Sequence, residues 1–208
     1  NLSAAFAGGL VGTQTGALTL SDNTGTIAAS TLTDITAQTD GAVGMASGGP
    51  TIQGTTAEIT AALVAGGTRI TAGSANVDFT DNPTAAELSA INAKTTGNIT
   101  LHDDSQTFSG TAAELSGAFS GGLQNTQTGA VTITDTSGNI LATVLSGIGE
   151  QTDGVVTAAS AGISISGTAL EVTAALCTPS KLVVAENAAV FITDTGSVDA
   201  TFLSAIGA

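Results

Sequence analysis

Between Gly110 and Asp135 the chain reads GTAAELSGAFSGGLQNTQTGAVTITD, and between Leu2 and Asp22 it reads LSAAFAGGLVGTQTGALTLSD. The second stretch is nearly the first without its opening, displaced by 113 residues. Extended from there, Leu2–Leu63 lies over Leu115–Leu176 without a gap, and 35 of the 62 positions are identical. The identities include Phe6/Phe119, Asp22/Asp135, the QTDG tetrapeptides that start at Gln38 and Gln151, and Glu58/Glu171. A repeat of this length governs the reading of everything inside it.

The long repeat divides further. TTAEITAAL from Thr55, TAAELSAI from Thr84, TAAELSGAF from Thr111 and TALEVTAAL from Thr168 are versions of one phrase. Looser versions stand between them: ASTLTDI from Ala29, ATVLSGI from Ala142 and ATFLSAI from Ala200. With the shortened copy at the start there are about eight units of roughly 28 residues. In four of them a Thr stands three residues before a Glu (Thr55/Glu58, Thr84/Glu87, Thr111/Glu114, Thr168/Glu171), the capping-box spacing that opens a helix. Apolar residues at helical spacing follow, such as Ala85, Leu88 and Ile91. Gly66-Gly67, Thr96-Gly97 and Gly121-Gly122 are read as helix stops. Alternating GNITLH, GAVTITD and ANVDFTD then read as short strands.

One such unit cannot bury its apolar face alone, so neighbours must cover it. The pattern therefore predicts an α/β solenoid of stacked strand–short-helix repeats with a parallel sheet. A β-solenoid with helical corners is the alternative. The whole of residues 1–208 is read as a single continuous array, 2–114 and 115–208 being the long-period copies. It is read as truncated at both ends, because Asn1 opens inside a helix phrase and Ala208 follows LSAIGA.

A two-unit alternation overlies this. LTLSD, VDFTD, VTITD and VFITD end in Asp22, Asp81, Asp135 and Asp194, whereas TIQG, TFSG and ISISG end in Gly54, Gly110 and Gly167. The four aspartates are the recurring polar constellation. Their ordinary role is turn chemistry and favourable placement at helix starts. Their candidate functional role is as Ca²⁺ ligands, which would need six to eight oxygens at one point. Alternation would also double the spacing of like charges from about 4.8 Å to about 10 Å, near the screening length; or it marks two different corners.

Composition narrows the function. Three basic residues stand against seventeen acidic ones, a formal charge of −14. Phosphate binding needs Lys and Arg, so nucleic acid is not an expected partner, and anionic membranes are not either. No apolar run reaches the length of a membrane span, so membrane insertion is not expected. An acidic, lysine-poor surface suits an extracellular or saline setting. The single cysteine, Cys177, has no internal disulfide partner and is read as a small core residue. His102, the one histidine, sits in TLHDD and is expected to be exposed; Asp103 and Asp104 beside it read as a solvated turn. GxSxG, Walker and HExxH signatures are absent, and the glycine-rich GAFSGGL closes a helix rather than opening one. The sequence points away from catalysis, with no cofactor expected beyond candidate Ca²⁺.

The phrases GTAAEL, VTITDTSGNI, DNPTAAELSAINAKTTGNIT and EQTDGVV resemble tandem repeats of very large surface-associated or secreted bacterial proteins, of the kind found in marine cyanobacteria. The resemblance covers the whole chain. It implies an adhesin, surface-layer component or filament subunit, and brings no catalytic residues. The expected function is a structural repeat region of an extracellular, cell-surface or filament-forming protein, its partners being itself or flanking repeats. A Ca²⁺-dependent adhesin module and a phage tail-fibre segment are the alternatives.

Overall fold

The computed structural model describes residues 14–45, 49–65, 69–158, 160–178 and 183–207. The expected helix stop at Gly66-Gly67 and the match at Phe6 lie outside the described residues, as does Lys181. The chain forms two compact units. The first holds the described residues as far as Pro83, with Glu87–Asp103 and Ser120–Gln124. The second holds Thr84–Ala86, Asp104–Phe119 and the described residues from Asn125 on.

The first unit runs β1 (Leu18–Leu20), β2 (Thr26–Ala28), α1 (Ala29–Ala37), β3 (Val43–Met45), β4 (Thr51–Gly54), α2 (Thr56–Leu63), β5 (Ile70–Thr71) and β6 (Asn76–Phe79). Most of α3 (Ala85–Asn92) and all of β7 (Ile99–Thr100) follow. Its strands form two sheets, β1-β3-β5 and β2-β4-β6-β7, with every pair parallel. The second unit contains β8 (Phe108–Gly110), α4 (Ala112–Phe119), β9 (Val131–Ile133), β10 (Gly138–Leu141), α5 (Ala142–Glu150), β11 (Val156–Thr157) and β12 (Ile163–Gly167). It continues through α6 (Ala169–Leu176), β13 (Val183–Val184), β14 (Ala189–Ile192) and α7 (Ala200–Ile206). It too has two parallel sheets, β8-β9-β11-β13 and β10-β12-β14.

The α/β class with parallel sheets is therefore present, and the repeat unit differs from the expected one in its parts. Two strands in different sheets precede most helices, where the sequence reading expected one. In two of these repeats the break falls in the turn after the strand-end Asp, Asp22 or Asp135. Gly25 (φ +86°) and Gly138 (φ +100°) take left-handed conformations there, breaking one extended run into two. The rungs are also shorter than the 28-residue phrase. Leu18 pairs with Val43, Thr26 with Thr51 and Gly138 with Ile163, each 25 residues on, while Val77 pairs with Ile99, 22 on, and Val156 with Val183, 27 on.

Side chains alternate in and out along each strand. In β12, Ile163, Ile165 and Gly167 are buried while Ser164 and Ser166 are not. Within the first unit, α1 packs on α2 above β2 and β4, over Leu32, Ile52, Ile59, Leu63 and Val77. Within the second, α4, α5, α6 and α7 pack in sequence order. There Phe108 and Phe119 meet edge to face with ring centroids 5.2 Å apart, a favoured aromatic geometry.

The QTDG repeats are corners. Thr39 donates its hydroxyl to the Gln14 carbonyl at 3.0 Å and accepts the Gly41 amide at 2.9 Å. Thr152 donates to the Gly129 carbonyl at 3.0 Å and accepts the Gly154 amide at 2.9 Å. Thr95 does the same with the Ala75 carbonyl and the Gly97 amide. Each Thr is buried, so its hydroxyl satisfies two backbone groups in a corner where water has little access. The glycine two residues on is forced by contact: a Cβ on Gly154 would lie 2.1 Å from the Gly129 carbonyl oxygen, and one on Gly97 2.3 Å from that of Ala75. Gly97 is thus a corner residue and not the stop of α3, which ends at Asn92.

Candidate functional site at the strand ends

The aspartate series sits where strands end and earlier helices begin. In α2 the expected capping box is complete: the Thr55 hydroxyl accepts the Glu58 amide at 3.3 Å, and Glu58 Oε2 accepts the Thr55 amide at 2.8 Å. Thr111/Glu114 at α4 and Thr168/Glu171 at α6 form the same pair of bonds. The fourth phrase begins α3 at Ala85, directly after Thr84.

A third acceptor reaches each of these three boxes from the following coil. Asp81 Oδ1 accepts the Thr56 amide and hydroxyl, each at 2.7 Å. Asp135 Oδ2 accepts the Ala112 amide at 2.6 Å, and Asp194 Oδ2 accepts the Ala169 amide at 2.7 Å. All three receivers are the first residue of their helix. A helix leaves its first amides unpaired, and here a carboxylate 23 or 25 residues downstream takes one of them. The negative charge also faces the positive end of the helix dipole. Asp22 lies exposed in the loop between β1 and β2.

The glycine ends are the counterpart. A Cβ on Gly54 would lie 3.1 Å from Ala29 Cβ and 3.0 Å from Glu58 Oε2. On Gly110 it would lie 3.1 Å from both Ala85 Cβ and Glu114 Oε2, and on Gly167 3.0 Å from Ala142 Cβ and 3.1 Å from Glu171 Oε2. Ala29, Ala85 and Ala142 are again first helical residues. The alternation is thus a rule for helix starts. The starts of α2, α4 and α6 each receive an Asp from the next repeat, and the starts of α1, α3 and α5 each receive a Gly, although α3 carries the Thr84/Glu87 phrase too. The spacing of like charges does not reveal this rule, because it sets strand ends only against one another.

Thr111 holds the Glu114 carboxyl below its ordinary range, by its backbone amide first and its hydroxyl second, with slight desolvation opposing. Thr201 lowers Asp199 in the same way at the start of α7. With their amides occupied, the starts of α2, α4 and α6 offer little to an incoming anion. Among the described residues, no group of three or more His, Cys, Asp or Glu side chains lies close enough to hold a metal ion.

The other candidates fall elsewhere. His102 is exposed beyond β7. Cys177 is half-buried at the end of α6 and its thiol donates to the Ala205 carbonyl at 3.3 Å, so it is a helix-end residue and not core. Asp104 belongs to a corner: its Oδ2 accepts from Asn125 at 2.9 Å and its carbonyl from the Thr128 amide at 2.8 Å. The sequence reading missed the buried amides beside it. Gln106 and Gln127 are 8% and 0% exposed, and Gln106 Nε2, Gln127 Oε1 and Asp104 Oδ1 make no hydrogen bond within the protein. The signal was there, since Gln127-Thr128-Gly129 puts Gln where the corners at Thr39, Thr95 and Thr152 put Thr. Arg69 bridges Asp40 at 3.0 Å and the Thr39 carbonyl at 3.1 Å on the surface.

No helix among the described residues is long and apolar enough to cross a membrane. Comparison with protein-family models, with curated proteins and with solved structures returns no match.

Proposed function

We propose that this chain is a structural repeat segment of an extracellular surface or filament-forming protein, in which strand–strand–helix coils stack as a solenoid and the partners are further coils of the same kind. The observation that carries the reading is the repeated coil-to-coil bond, in which Asp81, Asp135 and Asp194 each close the helix of the coil before. Polar groups that would serve a ligand in another protein here serve the adjacent coil. Such a protein works by extending and by presenting a uniform acidic surface, and its repeats need no catalytic group. Electron microscopy of native material tests this: rods or sheets with a regular axial repeat are expected, and compact isolated particles would overturn it. Antibody labelling of intact cells tests the surface location.

The −14 charge and the recurring aspartates also favour a Ca²⁺-dependent adhesive module. Titration calorimetry separates the two readings. Heat on Ca²⁺ addition that disappears in Asp81→Asn and Asp135→Asn would favour the adhesin. A phage tail fibre is a third setting for the same architecture, distinguished by where the antibody binds.

A further inference from the structure

Three helices carry the same apolar triad at their first, fourth and seventh residues. These are Ala29, Leu32 and Ile35 in α1, Ala85, Leu88 and Ile91 in α3, and Ala142, Leu145 and Ile148 in α5. All nine side chains are at most 3% exposed. α7 repeats the triad as Ala200, Leu203 and Ile206, yet Ala200 is exposed, Leu203 is 49% exposed and Ile206 is only half-buried. Beside this, Val190 and Ile192 of the edge strand β14 are half-buried, although they are in register with the buried Ile165 and Gly167 of β12.

What covers the first three triads identifies what fits the fourth. Each first-position alanine faces a strand-end glycine of the next coil: Ala29 faces Gly54, Ala85 faces Gly110 and Ala142 faces Gly167. The capped helices that follow two of these glycines pack on the triad helices, α2 on α1 and α6 on α5. We propose that the face formed by α7 and β14 is a docking surface for a glycine-ended coil of this repeat, one carrying G-T-x-x-E, and that an aspartate-ended coil is refused. The inference rests on the stacking reading and adds to it a rule of order. An Asp in the glycine position would press its Cβ against Ala200. It would also set a second carboxylate beside the incoming coil's own capping Glu, since that Glu oxygen lies 3.0–3.1 Å from a Cβ at the three internal glycines. Burying Leu203 and Ile206 favours docking; two close carboxylates oppose it.

The test lengthens the chain. A copy of Gln151–Cys177, the coil that follows α5, is added after Ala208, alongside a second version bearing the change equivalent to Gly167→Asp. Amide hydrogen exchange across α7 is the readout. The glycine coil is expected to slow exchange there by about tenfold or more and to raise the thermal midpoint, and the aspartate version to leave both as in the parent. Leu203→Glu in the receiving helix is expected to cancel the protection given by the glycine coil, which separates loss of docking from misfolding of the added copy. Equal protection by both coils would overturn the order rule while leaving stacking intact. Protection by neither would overturn the docking surface, whereas stacking itself is decided by particle shape in the microscope. Concentration-dependent protection of α7 in the parent, lost in Leu203→Glu, would assign the face to a second copy and overturn the proposal.

Discussion

Asp135 accepts the Ala112 amide and Thr152 donates to the Gly129 carbonyl, each reaching 23 residues back along the chain. Asp135→Ala removes the acceptor of the Ala112 amide and is expected to lower stability by about 1 kcal/mol, as loss of a helix cap does. Asp135→Asn keeps an acceptor and should lose less; urea denaturation followed by circular dichroism measures both. Thr152→Val keeps the shape and deletes the hydroxyl, stranding the buried Gly129 carbonyl and the half-buried Gly154 amide. It is expected to cost about 1–3 kcal/mol, with Thr152→Ser recovering most of it. Acid acts on the neighbouring Thr111/Glu114 capping box. The folded-state pKa of Glu114 is below its unfolded value, so its contribution is fully present above the unfolded value and is lost as pH falls through the folded one. A denaturation midpoint that declines below the ordinary glutamate range, less steeply in Glu114→Gln, is the expected result. At this scale the sequence was partly legible. TxxE announced its capping boxes because both partners lie within one turn. The Asp-to-helix bonds span 23 to 25 residues, and no local spacing encodes them.

Helices and strands were legible to the degree that their signals are local. The apolar spacing of TVLSGI and the alternation of ISISG both reappear as the expected elements. The division into two sheets was not legible: after Asp22 and Asp135 it turns on a left-handed glycine between two short extended runs, and DTSG reads equally well as a turn into a helix. Glycines separate into three kinds that substitution by alanine should rank. Gly154→Ala meets a backbone oxygen at 2.1 Å that cannot retreat, so it is expected to be the most damaging. Gly167→Ala meets side-chain atoms at 3.0–3.1 Å and should cost about 1–3 kcal/mol, the range for overpacking. At Gly147, inside α5, an added methyl group would meet nothing within 4 Å, and Gly147→Ala should stabilise by about 0.5–1 kcal/mol. Thermal melts of the three variants check the order.

For the molecule as a whole, seventeen acidic side chains against three basic ones impose self-repulsion that salt relieves. The thermal midpoint is expected to rise as NaCl goes from millimolar to several hundred millimolar, and to rise less in variants with surface Asp changed to Asn. Repeated coils with mainly neighbour contacts seldom unfold as one body. Hydrogen exchange should therefore give more than one protection class across each unit.

The fastened corners have a further consequence, for digestion. Proteases that cut after basic residues find two described targets, Arg69 and Lys94. The Arg69 carbonyl accepts the Val43 amide at 2.9 Å, and Lys94 precedes Thr95, whose hydroxyl is bonded inside a corner. Neither bond can enter a protease cleft until its coil opens. Trypsin should therefore cut the chain at these two places only at the rate at which the corners come undone.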